Sequence, residues 1–251
     1  MTATGNPVPI PLRHHLARRL IQLYVGLICY GVSCALMIEV RLGLDPWDVF
    51  HQGVARRTGL SIGTVVIIVG VAVLLLWIPL RQRPGIGTIS NAIVIGLAVD
   101  WGLDLLPTPE APLVRWAFLL GGIVLNGIAT GLYIGARLGP GPRDGLMTGY
   151  VARNPGRSIR LVRTVIEVTV LAIGWLLGGT VGWATLLYAI SIGPLAHVFI
   201  PLFSVRGPVP AAAAAAPLGI DGGLSSPTDR VDAGLDSPPS RGAAAEPQRT
   251  G

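Results

Sequence analysis

The sequence predicts an all-α membrane protein: a polytopic transmembrane helix bundle of six spans, built as two inverted three-span repeats that each carry a short half-helix. Three observations predict it. The 251 residues are 51% apolar and 13% charged, with a mean hydropathy of +0.63, the balance of a chain that meets lipid over much of its surface. Six stretches, roughly 20–39, 61–80, 85–105, 116–136, 161–178 and 183–203, are long enough to cross a bilayer, which takes about 20 residues of helix. Residues 13–106 are also echoed by residues 109–203. At an offset of 96, Arg19, Arg41-Leu42-Gly43, Pro46 and Asp48 recur as Arg115, Arg137-Leu138-Gly139, Pro142 and Asp144. One inserted residue later, Ser61-Ile62, Thr88 and Ile95-Gly96 recur at an offset of 97 as Ser158-Ile159, Thr185 and Ile192-Gly193. Matched Leu or Val is cheap in an apolar chain; matched Arg, Pro and Asp is not.

The elements follow in order. Residues 1–12 read as a flexible arm, and 13–206 as the membrane domain, with repeat one at 13–108 and repeat two at 109–206. Arg13, Arg18 and Arg19 precede an apolar run to Ile38, a length that spans rather than one that is cleaved as a signal peptide. Cys29 and Cys34 on that run point about 140° apart on a helix, so they cannot pair with each other. Residues 45–57 and 141–153 are too short and too polar to span, and read as half-helices, either re-entrant or interfacial. Asp45 suits the N-cap of the first, Pro46 its first position and Asp48 its third, where a carboxylate can aim back at free N–H groups. The second reads Gly141, Pro142 and Asp144 in the same places. Ser61 and Ser158 are placed to cap the spans that follow. Between Glu167 and Arg206 there is no charged residue, and Gly178-Gly179-Thr180 divides that stretch into two spans.

With the N-terminus inside, six spans put twelve Arg on the cytoplasmic side and four outside, the asymmetry expected of cytoplasmic loops. Full crossing by the half-helices would give eleven and five, so length and polarity choose the topology. Three spans per repeat insert the copies in opposite orientations, the plan of many transporters and channels. Both termini are expected in the cytoplasm of a multi-pass cell-membrane protein. Residues 207–251, with six consecutive Ala and repeated Pro, Gly and Ser, cannot bury a core and read as a disordered cytoplasmic tail.

Gly43-Leu44-Asp45-Pro46-Trp47-Asp48-Val49-Phe50 and Pro84-Gly85-Ile86-Gly87-Thr88-Ile89-Ser90-Asn91, with Ile95-Gly96 and Asp100 beyond them, resemble the bacterial YczE/YyaS/YitT family of integral membrane proteins. The resemblance covers roughly residues 15–205. It implies a polytopic protein of the cell membrane and no particular reaction, since the family has no generally established activity or substrate. The second copy departs from the first in placing Arg143 where Trp47 stands.

Ionisable groups inside spans are candidates for function by default. Glu167 lies four residues after Arg163 and seven after Arg160, on one helix face; it is an ion or proton site, or the partner of a structural pair with Arg163. Asp48 and Asp144 are either caps or binding groups for a solute or ion. Asp100 and His197 correspond at an offset of 97 and would form a proton relay if both faced the interior; near span ends they would instead meet headgroups or water. Asn91 and Asn126 suit hydrogen bonds between helices, Asn91 counting also among the candidate solute-binding residues. Gly59-Leu60-Ser61-Ile62-Gly63 matches a nucleophile pattern but precedes a membrane helix rather than following a strand, so no enzyme is expected. No metal spacing or cofactor motif is present. The net charge of +6 fits cytoplasmic Arg, not nucleic acid. The leading expectation is a transporter- or channel-like protein for a small polar solute or ion, with the lipid bilayer as surroundings and homo-oligomerisation left open. The alternative is a non-transporting membrane protein that assists or regulates another complex.

Overall fold

The computed structural model describes residues 15–205; the arm at 1–12 and the tail at 207–251 lie outside the described residues. Among them there are helices and no strands. In chain order these are α1 (Leu16–Glu39), α2 (Pro46–Thr58), α3 (Ile62–Leu75), α4 (Trp77–Leu80), α5 (Ile86–Leu105), α6 (Pro112–Gly135), α7 (Pro142–Arg153), α8 (Ile159–Leu176) and α9 (Trp183–Phe203). The turn at Leu76 between α3 and α4 sits where Pro79 withholds an N–H from the preceding turn.

Among the described residues five helices are long and apolar enough to cross a membrane: α1, α3 with α4, α5, α6 and α9. The sixth expected span, α8, has 18 residues but carries Arg160, Arg163 and Glu167, which take it out of the purely apolar class. Large apolar side chains stand exposed along these helices, among them Ile68, Leu97, Leu120, Val168 and Ile190, a surface that suits lipid and not water. Trp101, Trp116, Trp175 and Trp183 are all exposed at the helix ends flanking the α5–α6 and α8–α9 turns, where indole rings favour a membrane interface.

α1 and α6 form the centre. α1 packs on α5 and α6, α6 also on α9, α3 on α5, and α2 on α8. Tight seating needs small residues: a Cβ on Gly63 of α3 would stand 2.0 Å from the carbonyl oxygen of Gly96 on α5. The core is Leu23, Leu27 and Met37 of α1 with Leu119, Ile123 and Ala129 of α6 and Ile95 and Val99 of α5.

The links into α2 and α7 match in detail. Each has an Arg in the left-handed region (Arg41 and Arg137, both φ 54) followed two residues later by a glycine at positive φ (Gly43, 113; Gly139, 135). The carbonyl between them accepts a backbone bond from the far half: Leu138 from Gly87 N–H and Leu42 from Ala184 N–H, both at 3.0 Å. Arg19 of α1 donates to the carbonyls of Ala136 and Arg137 at the end of α6, each at 2.9 Å. Arg115 of α6 donates to the Val40 carbonyl at the end of α1.

Candidate functional site

Both half-helices start in the interior. Asp45 caps α2 as its position predicts: Oδ1 accepts from the Trp47 N–H at 3.0 Å and the Asp48 N–H at 3.3 Å. Asp48 does not aim back at the helix start. Its side chain is buried along the helix, and Oδ1 accepts from Nδ1–H of His51 at 3.0 Å, because one turn separates residues three apart. Burial, reinforced by Arg143, holds the His51 pKa down to about 3, so this is a neutral imidazole donating and not an ion pair. Burial and the Asp48 charge push Asp45 up to about 7, against the pull of Arg143.

The far end of α2 is tied down. Arg56 donates to the Gly178 carbonyl and to Thr180 Oγ1, Arg57 to the Leu177 carbonyl, and Gln52 Oε1 accepts from the Thr180 N–H at 2.7 Å. α7 is fixed at its start by Trp77, whose Nε1–H donates to the Pro142 carbonyl at 3.0 Å. Gly145 lets that indole ring lie against the helix, since a Cβ there would stand 1.9 Å from it.

Arg143, at the second position of α7, then meets the start of α2. Its Nη1 is 3.8 Å from Asp45 Oδ1 and its guanidinium lies 5.3 Å from the Trp47 ring centroid, a cation–π distance. Trp47 and Arg143, which hold the same position in the two half-helices, are therefore in contact. Next to them Tyr133 donates to Asp144 Oδ2 at 3.1 Å, and Tyr30 meets Tyr133 edge-on at 6.0 Å. Behind, Asn126 donates to Ser33 Oγ at 2.9 Å and accepts from Tyr188 OH at 3.0 Å, the interhelical role expected of it.

A cavity of about 430 Å³ opens at this meeting point, lined by Asp45, Arg143, Asp144, Arg163, Glu167 and Tyr188 among others. Arg163 Nε donates to Glu167 Oε1 at 2.8 Å, so the structural pair and the cavity-facing site are the same pair. Asn91 also lines this cavity, and a small hollow behind Trp47 and His51. The structure thus brings Asp144, Arg163, Glu167 and Asn91 to one cavity, with Asp48 buried beneath Asp45.

Asp100 and His197 are not part of it. Asp100 accepts from Ser61 Oγ at 2.6 Å and from the Gly63 N–H at 2.7 Å, bracing the start of α3, while His197 is exposed on α9. A relay between them has no geometry. Ser61 caps α3 through the Thr64 N–H, whereas Ser158 makes no side-chain capping bond.

Sequence reasoning missed Asp45, Arg143 and Cys34 as site residues. Asp45 and Asp48 share a face at i and i+3, which was readable; that Cys34 and Arg143 converge on them depends on packing between distant segments.

Residues 17–201 match the model of a family described as a family of unknown function (DUF6198). The chain belongs to this family. An uncharacterised protein of Haemophilus influenzae is 41% identical over 182 residues, covering 72% of this chain and 83% of the relative. The uncharacterised membrane protein YczE of Bacillus subtilis is 32% identical, covering 76% and 89%. The uncharacterised protein YyaS of the same organism is 26% identical, covering 71% and 90%. The family resemblance carried by the Gly-x-x-Pro-Trp-Asp element holds. No solved structure matches. With its apolar helices and a relative named as a membrane protein, the chain is an integral, multi-pass membrane protein.

Proposed function

We propose that this protein is a non-enzymatic transporter or channel for a small polar solute or ion, with six spans arranged as two inverted three-span repeats and both termini in the cytoplasm. The cavity carries the reading. It lies where the starts of two half-helices converge between the halves of the chain, the position at which transporters built from inverted repeats hold their cargo. Its volume is in the range of small-molecule sites, and its charged lining is costly for a bundle without a polar ligand. Arg143 and Arg163 suit an anionic group of the solute, Asp144 and Glu167 a cationic or hydroxyl group, and Asn91 and Tyr188 neutral hydrogen bonds.

The repeat is supported by reciprocal contacts. Arg19 reaches the end of α6 as Arg115 reaches the end of α1, and the Leu138 and Leu42 carbonyls exchange equivalent bonds across the molecule. α8 becomes the sixth span when Arg160, Arg163 and Glu167 face the cavity rather than lipid.

Purified protein in liposomes, screened over inorganic ions, amino acids, organic acids and sugars, tests the function. The expected result is flux of one class above empty vesicles, lowered at least tenfold by Glu167→Gln or Asp144→Asn without loss of folded protein. Folded, correctly inserted protein that moves none of these classes would leave a helper or regulatory role instead. Topology is tested by single-Cys labelling: Arg83→Cys should react only from the cytoplasmic side and Thr108→Cys only from outside. Reaction of both from one side would end the inverted arrangement.

A further inference from the structure

Asp45 and Asp48 are 2% and 3% exposed, and each uses only half of its carboxylate. Oδ1 of Asp45 holds two backbone N–H groups and Oδ1 of Asp48 holds His51. Oδ2 of each has no partner, and among the described residues these are the only buried side-chain nitrogen or oxygen atoms left so. Buried polar atoms are almost always paired, and an unpaired carboxylate oxygen is among the costliest exceptions. Cys34 of α1 stands with them: its sulfur and one oxygen of each carboxylate lie within 4.8 Å of one another. The anchored oxygens fix both side chains, as outer hydrogen bonds fix the ligands of an ion.

The charges around the pair do not balance. α7 supplies one cation, Arg143, at 3.8 Å from Asp45. On α2 itself His51 is neutral. α1 contributes Tyr30 and Cys34, α6 Tyr133 and α9 Tyr188, none of them cationic. Across the cavity stand Arg160, Arg163, which donates to Glu167, and Asp144, which accepts from the neutral Tyr133 hydroxyl. At short range, then, two buried carboxylates share one guanidinium.

We propose that Asp45 and Asp48, with Cys34 beside them, bind a single Na⁺ at the two free carboxylate oxygens, with the cavity at Asp45 as the way in. One charge completes the balance and two would overshoot it. Binding stands on the geometry of the pair; a role as coupling ion rests on the transport reading above.

Full-length protein in lipid nanodiscs gives the test, with ²²Na⁺ equilibrium binding and the unfolding temperature read in NaCl against N-methylglucamine chloride at constant ionic strength. At pH 8.5 one Na⁺ per chain should bind saturably and raise the unfolding temperature; at pH 5.5 its apparent affinity should fall at least tenfold. Asp45→Asn and Asp48→Asn should each lower Na⁺ affinity at least tenfold. Both keep the local fold, since Asn is as good an N-cap as Asp and its carbonyl can still accept from His51. Three results overturn the site: no saturable Na⁺ binding and no Na⁺ effect on the unfolding temperature, an unchanged response in both Asn variants, or tight binding of Ca²⁺ or Zn²⁺ with none of Na⁺. Flux is not read here, so binding without transport would sink the transport reading alone, and transport without binding would sink the site alone.

Discussion

In the first half of the chain α3 lies flush against α5; in the second, α8 and α9 barely meet, and the cavity fills the space between them. The difference is written along one helix face. Residues 97 further on from Gly63, Val66 and Gly70 are Arg160, Arg163 and Glu167. Gly63 brings its backbone against Gly96, and Gly70 sits on Ala92. The residue 97 beyond Gly96 is Gly193, which has open space where a Cβ would go and lines the cavity. A similar order of helices is thus closed by small residues on one side and held open by charged ones on the other. The cavity comes from side-chain size and charge on α8, not from a longer loop.

The strongest way to break this comparison is to add bulk at the two glycines. Gly63→Leu should cost roughly 3 kcal/mol or more, since it drives a side chain into backbone. Gly193→Leu should stay within about 0.5 kcal/mol, as substitutions free of contacts do, while obstructing any flux. Thermal unfolding of the two variants side by side checks it, and equal losses would contradict the open gap.

The arginine contacts give the next largest effect. Arg19→Ala removes bonds from a fully buried guanidinium to two carbonyls and should cost about 2–3 kcal/mol, whereas Arg115→Ala, half-buried, should cost about 1–2 kcal/mol. Denaturation midpoints would reveal whether the two ends of the molecule are braced alike.

A smaller contrast concerns the serines. Ser61→Ala loses a helix cap and its bond to Asp100, for about 1 kcal/mol; Ser158→Ala, with no capping bond to lose, should be nearly silent. Comparable losses at both would mean that Ser158 caps α8 in the membrane.

Much of this was legible from residues. Hydropathy located the long helices to within a few residues, five of them long and apolar enough to cross a membrane, and length and polarity separated α2 and α7 from them. Asp45, Pro46 and Ser61 announced helix starts because capping is local chemistry. Of the two roles open to Asp48, cap or binding group, capping is not the one it takes: its hydrogen bond runs forward to His51, along the buried helix face. Asp100 and His197 were compared with each other because they correspond in sequence, but correspondence is not contact. Asp100 braces α3 because α3 packs on α5; α8 and α9 are set apart, and His197 is exposed. The convergence of Arg143 on Trp47 and Asp45 joins segments almost 100 residues apart, which no local pattern encodes.

The charged face of α8 also bears on how the protein is made. An Arg or acidic residue near the middle of an inserting helix costs about 2.5–3.5 kcal/mol, so under the six-span reading α8 is a poor span when it first leaves the ribosome. α2, the helix on which it packs, has been synthesised about 100 residues earlier and is already waiting. α8 would then enter the bilayer not as an independent apolar segment but as a hairpin with α9, received by a half-built bundle whose polar interior hides its charges. Late, assisted insertion of one helix is the biogenetic counterpart of keeping a charged cavity inside a membrane.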